Sequence, residues 1–241
     1  MEIKRAFCFY EQSGVFRDAF RSFGIPAECY DISDKFGQTD HITDLFNEVS
    51  KAFNDKPSII DGITPEDLTI AFFPCIHFEQ FACMTYQHFS NWMSGWSERK
   101  KTLNSAAKFD QCAIFYRRLW ELIAVFCDRG LRLIIENPVN GYTLLNYLMP
   151  KPKYIDRDRT KMGDCYYKPT AYWFFNCDPE GGVIYEKPKK ILNIEKTASN
   201  STTGVCSIER SLITPEYARN FIAAKLLGNK KALKNQQLTL L

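Results

Sequence analysis

Four short apolar runs recur along this chain, each with a helical pattern between it and the next, and this alternation limits the fold more than any other feature. Arg5 to Phe9, Ala27 to Tyr30, Leu68 to Phe72 and Leu131 to Ile135 each read as a buried strand. Between them, Val15 to Phe23 sets Phe16, Ala19, Phe20 and Phe23 on one helical face and stops at Gly24. Ile42 to Phe53 is amphipathic, and Phe109 to Cys127 predicts a long helix ended by Gly130. Strands fed by helical crossovers make βαβ units, whose connections are right-handed. The expected fold is α/β, a doubly wound, mostly parallel, Rossmann-like sheet covered on both faces.

A chain of 241 residues can bury a sizeable core, and a single catalytic domain spanning 1–241 is expected. Beyond Pro150 the character changes. Lys151 to Lys168 is rich in basic residues, and Ala171 to Phe175 and Val183 to Tyr185 look like hairpin strands around Asp178-Pro-Glu-Gly-Gly. Residues 151–210 therefore predict a small β-rich insertion, with a loop at the Ser/Thr-rich stretch 196–207. Thr214-Pro215-Glu216 opens a last helix, with Thr as cap and Pro at its first position, running to Leu227 before Gly228.

The net charge of +3 neither demands nor excludes a nucleic-acid partner. Nine scattered cysteines with no Cys-x-x-Cys pair argue against a disulfide framework and a zinc site, and for a reducing cytoplasm. The expectation is a cytoplasmic protein without bound metal, with no signal peptide and no apolar run long enough to span a membrane.

Three constellations carry possible chemistry. Tyr10-Glu11-Gln12-Ser13-Gly14 is a strand-to-helix turn, and Asp31 ends the next strand; amides in such a turn approach a cofactor, and the acid accepts ribose hydroxyls. An ordinary turn is the alternative. Pro74-Cys75 follows the strand Leu68 to Phe72, which sets a thiol at the ligand-binding edge of the sheet, although most cysteines near strands are inert packing groups. Glu136-Asn137-Pro138 directly follows the apolar run Leu133-Ile134-Ile135, so its carboxylate needs a buried role; capping a neighbouring helix is the plain alternative.

In this order the motifs resemble the cytosine-C5 DNA methyltransferases, above all their short phage-type members. Glu11-Gln12-Ser13-Gly14-Val15-Phe16-Arg17-Asp18-Ala19-Phe20 is similar to the first turn and helix of that group, and Pro74-Cys75 and Glu136-Asn137-Pro138 to its two catalytic motifs. Gly163 to Trp173, with Lys168 and Thr170, resembles a further shared stretch, and Arg210-Ser211 through Ala218 the final helix that folds back on the cofactor domain. Gln12 departs from a usual Gly, and Ile76 stands where a polar residue is common.

The resemblance implies methyl transfer from S-adenosylmethionine to C5 of cytosine in DNA. In that reading Cys75 is the nucleophile, Glu136 holds N3 and the exocyclic amine, Asn137 positions its loop and Pro74 shapes the cysteine turn. Tyr10, Glu11, Ser13 and Gly14 lie against the cofactor, with Asp31 on its ribose and Asp44 near its adenine. Lys168 and Thr170 face the base or a phosphate. Residues 151–210 become a reduced recognition region and 211–228 the returning C-terminal helix; Lys151, Lys153, Tyr154, Arg157, Arg159 and Lys161 either follow a phosphate backbone or form a solvated charged loop. Two alternatives stay open: the same chemistry on a free pyrimidine nucleotide or RNA, and a decayed fold that only binds nucleic acid or a partner.

Overall fold

The computed structural model describes residues 1–78, 93–139, 143–165, 167–184 and 212–229. Seven strands form one sheet: β1 (Ala6–Phe9), β2 (Ala27–Asp31), β3 (His41–Ile42), β4 (Leu68–Phe72), β5 (Arg132–Pro138), β6 (Tyr154–Asp156) and β7 (Thr170–Phe175). Their spatial order is β3-β2-β1-β4-β5-β7-β6. The ladders β3–β2, β2–β1, β1–β4 and β4–β5 are parallel, whereas β7 runs antiparallel to both β5 and β6. The fold is thus α/β, with a mostly parallel mixed sheet compatible with a Rossmann-like architecture.

Period-two alternation sorts the strands' side chains between two cores. Ala6 and Cys8 of β1, Ile134 of β5 and Tyr172 and Phe174 of β7 face one side. There they meet Phe16 and Phe20 of α1 (Val15–Ser22) and Phe221 of α5 (Pro215–Phe221). Phe7, Phe9, Leu133, Ile135 and Trp173 face the other side. They are covered by Leu45 and Val49 of α2 (Leu45–Phe53), by Leu119, Leu122 and Phe126 of α3 (Glu98–Asp128) and by Leu145 of the short α4 (Leu145–Leu148). Each such large apolar side chain stabilises the fold by roughly 1.5–3 kcal/mol through transfer from water. Among the described residues no helix is long and apolar enough to cross a membrane.

The four expected strands are present, and α1 and the C-terminal helix start where their signals fall. Thr214 Oγ1 accepts the Tyr217 amide at 3.3 Å, with Pro215 in the first turn. That helix then continues as a π-helical turn over Ile222–Leu226.

Three expectations need correction. Helix α3 begins at Glu98 rather than Phe109, because Ser97 caps it by accepting the Lys100 amide. Its first half buries only Ser105 and Cys112, so no apolar stripe announces it. Ile42 belongs to the short strand β3, and the helix expected to start there begins only at Leu45. The hairpin around Asp178 is not formed: Val183 and Ile184 are exposed and outside any strand. The partners of β7 are instead β5 and β6, which use both of its edges and make the region beyond Pro150 part of the main sheet. The 196–207 stretch, Tyr185, Arg210 and Ser211 lie outside the described residues.

Candidate functional site

The strand order reverses direction between β1 and β4, and in open sheets ligands bind at the carboxyl edge beside such a point. A cleft of about 270 Å³ lies at that edge. From the β1 turn it is lined by Tyr10, Glu11, Gln12 and Ser13, from the end of β4 by Phe72 through Cys75, and from β5 by Glu136 and Pro138. Lys168 closes one side, and Lys35 and Phe36, then Leu212 and Ile213, complete the rim.

The turn after β1 is built tightly. Tyr10 has φ 58°, the left-handed conformation that L residues seldom adopt, and its amide donates to the Tyr30 carbonyl at 2.8 Å. Its ring packs against Phe46 and Phe73 at centroid distances of 5.8 and 5.3 Å. The hydroxyl is buried without a hydrogen-bond partner, and burial, reinforced by Asp44 and Asp31, pushes it well above an ordinary phenol. Glu11 is buried, and its Oε1 accepts the Phe16 amide at 2.8 Å and the Ser13 hydroxyl at 3.3 Å, so it caps the entrance to α1. Burial raises the Glu11 carboxyl, against the pull of the Phe16 and Arg17 amides. Gly14 has φ +67°, and a Cβ there would stand 2.6 Å from Arg17 Nη2. The Arg17 guanidinium in turn reaches Asp18 and Asp40, holding α1 to the segment after β2.

Asp31 closes β2 and accepts Gln12 Nε2 at 3.0 Å and the Ser33 amide at 2.9 Å. Burial raises its carboxyl, and the Ser33 and Gln12 donors work against that rise. Gln12, the departure in the turn, is therefore the residue that occupies one oxygen of the second-strand acid. Asp44 is not brought to the cleft: it is exposed and N-caps α2, accepting the Asn47 amide at 3.1 Å.

Cys75 is partly exposed in a turn whose carbonyl accepts the Phe78 amide at 2.8 Å, and Ile76 beside it is 63% exposed. Glu136 stands next to Phe72 on β4 and across from Tyr172 on β7. It is buried, and among the described residues no hydrogen-bond donor reaches its carboxyl. Burial pushes that carboxyl above the usual range, with Lys168 and Arg159 pulling it back and Asp164 adding to the rise. Asn137 is fully buried and donates Nδ2 to the Phe73 carbonyl at 2.8 Å. Thr170 is also fully buried, its hydroxyl donating to the Lys168 carbonyl at 3.0 Å, so it shapes the approach to Lys168 and does not line the cleft.

Tyr10, Glu11, Ser13, Pro74, Cys75, Glu136 and Lys168 thus share one cleft, with Gly14, Asp31, Asn137 and Thr170 behind it. A partly exposed thiol just beyond β4 and a buried carboxyl near the end of the adjacent β5 are the groups that nucleophilic and proton-transfer chemistry on one molecule would require.

Arg159 changes role. As a member of a basic run it reads as a phosphate contact, but it is 1% exposed. It pairs with buried Asp164 and lies over the Tyr217 ring at 4.6 Å. Its partners come from Gly163's neighbour and from the distant C-terminal helix, and nothing in the local run marks it for burial. Lys35 and Phe36 are likewise missed, since only the loop between β2 and β3 brings them over the cleft.

No family model matches this chain, and no curated protein matches it.

Proposed function

We propose that the protein is an S-adenosylmethionine-dependent methyltransferase acting on C5 of cytosine in DNA. The carrying observation is that Cys75, just beyond β4, and Glu136, near the carboxyl end of the adjacent β5, line the same cleft as the β1 turn.

The residues present fit such a cofactor. The β1 turn opens into a cleft walled by Phe36, Phe72 and Phe73, and the Tyr10 hydroxyl waits buried without a partner beside it. Tyr10, Glu11, Ser13 and Gly14 would hold it, with Asp31 toward the ribose once Gln12 shares that carboxylate. Asp44 stays a helix cap and is left out of the site. When bound, S-adenosylmethionine supplies an electrophilic methyl group.

The chain's own residues prepare the base to receive it. Cys75 Sγ, as thiolate, forms a bond to C6 of the ring, and the displaced electron pair moves toward N3. Glu136 places a proton on N3 and accepts from the exocyclic amine; the raised carboxyl is suited to carrying that proton. When C5 later loses its proton to solvent, the S–C6 bond breaks, Cys75 leaves as thiolate and Glu136 recovers its proton. A base in a duplex must first leave the stack to reach this edge. Lys168, on the rim, meets the base or its phosphate.

Transfer of a labelled methyl group to DNA tests the reading, with Cys75→Ala as control. Activity that disappears in Cys75→Ala, together with a covalent adduct on 5-fluorocytosine DNA, supports it; adduct formation that persists in Cys75→Ser removes Cys75 as nucleophile. The Gln12–Asp31 hydrogen bond favours one second reading, a fold that no longer takes the cofactor. Absence of binding at high micromolar S-adenosylmethionine in calorimetry would select it.

A further inference from the structure

Behind Glu136 lies a group of buried titratable side chains that the mechanism above leaves unused. Tyr172, directly across the ladder from Glu136, shares a 2.8 Å hydrogen bond with the hydroxyl of Tyr217. Tyr217 donates in turn to Asp156 Oδ2 at 3.0 Å. The Tyr217 ring lies 4.6 Å from the Arg159 guanidinium, which pairs with Asp164. Tyr172, Tyr217 and Asp164 are fully buried, Arg159 is 1% exposed and Asp156 is 6% exposed.

These groups come from four places in the chain: β6, the turn after it, β7 and the C-terminal helix α5. Tyr217 contacts three of them, its hydroxyl meeting Tyr172 and Asp156 and its ring face meeting Arg159. An arginine buried to this degree keeps its position only where something holds both its charge and its plane.

We propose that Tyr217 is a positioning residue, which fixes the Arg159 cation beside Glu136 and so makes the C-terminal helix part of the base-binding apparatus. The proposal rests on the reading of Glu136 as the carboxyl that holds the base. Tyr172 stands across the ladder from Glu136 and Lys168 lines the same cleft; of the charges that act on its carboxyl, Lys168 and Arg159 favour the ionised form and Asp164 opposes it. Arg159 feels the Glu136 charge in return, as does Tyr172. Loosening Arg159 therefore removes a cation from beside Glu136 and lets its carboxyl hold the proton to higher pH.

The test reads Glu136 directly. The titration of its side-chain carboxyl is followed by carbon NMR in the full-length protein and assigned by its disappearance in Glu136→Gln. In Tyr217→Leu, which loses both ring face and hydroxyl, the midpoint is expected to shift upward. In Tyr217→Phe, which keeps the ring face under Arg159, the shift is expected to be smaller. The alkaline limb of the kcat profile for methyl transfer should move in the same direction, with KM for S-adenosylmethionine unchanged. A midpoint that stays at the wild-type value in both variants, while their melting temperatures fall, overturns the proposal and leaves Tyr217 as a packing residue. If Tyr217→Leu does not fold, Tyr217→Phe alone decides. The NMR arm needs no turnover, so a protein without methyl-transfer activity whose Glu136 midpoint still shifts would refute the function while retaining the coupling.

Discussion

Asn137 Nδ2 donates to the carbonyl oxygen of Phe73 at 2.8 Å, fastening the end of β5 to the residue that precedes Pro74 and Cys75. The bond sets the thiol-bearing turn against the strand that carries Glu136. Asn137→Ala leaves a buried carbonyl without its donor, and a loss of about 1–3 kcal/mol is expected. Urea unfolding would register it as a lower midpoint with an unchanged slope. Methyl transfer should fall further than stability does, because the cysteine turn is no longer fixed.

The sign of pH dependence at Glu136 follows from its raised carboxyl. In the fold the protonated form is favoured, so the contribution is fully present below the ordinary value of 4.5 and is lost as pH rises through the raised folded value. Glu136→Gln removes that loss. The variant is expected to melt above the wild type at pH 7–8, with the difference shrinking toward pH 4, while methyl transfer drops by roughly 10²-fold or more. Thermal scans across pH check the first part, and a destabilised variant at pH 8 would contradict it.

Gly14 meets two demands at once, a positive φ and space for Arg17. Gly14→Ala is expected to lower stability by about 1–2 kcal/mol from the left-handed backbone alone, and more if Arg17 is displaced. In a domain of this size each kcal/mol lowers the melting temperature by about 2–4 °C.

Opposite effects on cofactor binding are expected from Gln12 and Asp31, since Gln12 holds the carboxylate that a ribose would need. Asp31→Ala should weaken S-adenosylmethionine binding about tenfold or more, as expected for loss of a charged hydrogen bond. Gln12→Ala should tighten it several-fold. Calorimetry on the two variants measures both, and weaker binding by Gln12→Ala would instead make Gln12 a ligand contact.

The sheet was legible in the chain because its strands bury both faces and its helices carry clear stripes. Phe16, Ala19 and Phe20 recur at helical spacing, and the run Leu68 to Phe72 has no polar residue except Thr69. The position of Cys75 beyond the end of β4 was legible for the same reason, whereas Glu136 lies inside β5, which runs on to Pro138 because β7 pairs with Asn137 and Pro138 as well. Where local signals mislead, a distant partner is responsible. The strand β6 is only three residues long and exists because β7 offers it an edge.

The sequence by itself determined the βαβ alternation, the edge at which the cysteine and carboxylate stand, and the cap and proline that start α5. Tertiary structure alone decided that Gln12 reaches Asp31, that Asp44 serves a helix end, and that Arg159 is buried between Asp164 and Tyr217. The physical reason is range. Strand and helix preferences act over a few residues, whereas the placement of a buried charge depends on partners that only chain closure brings together.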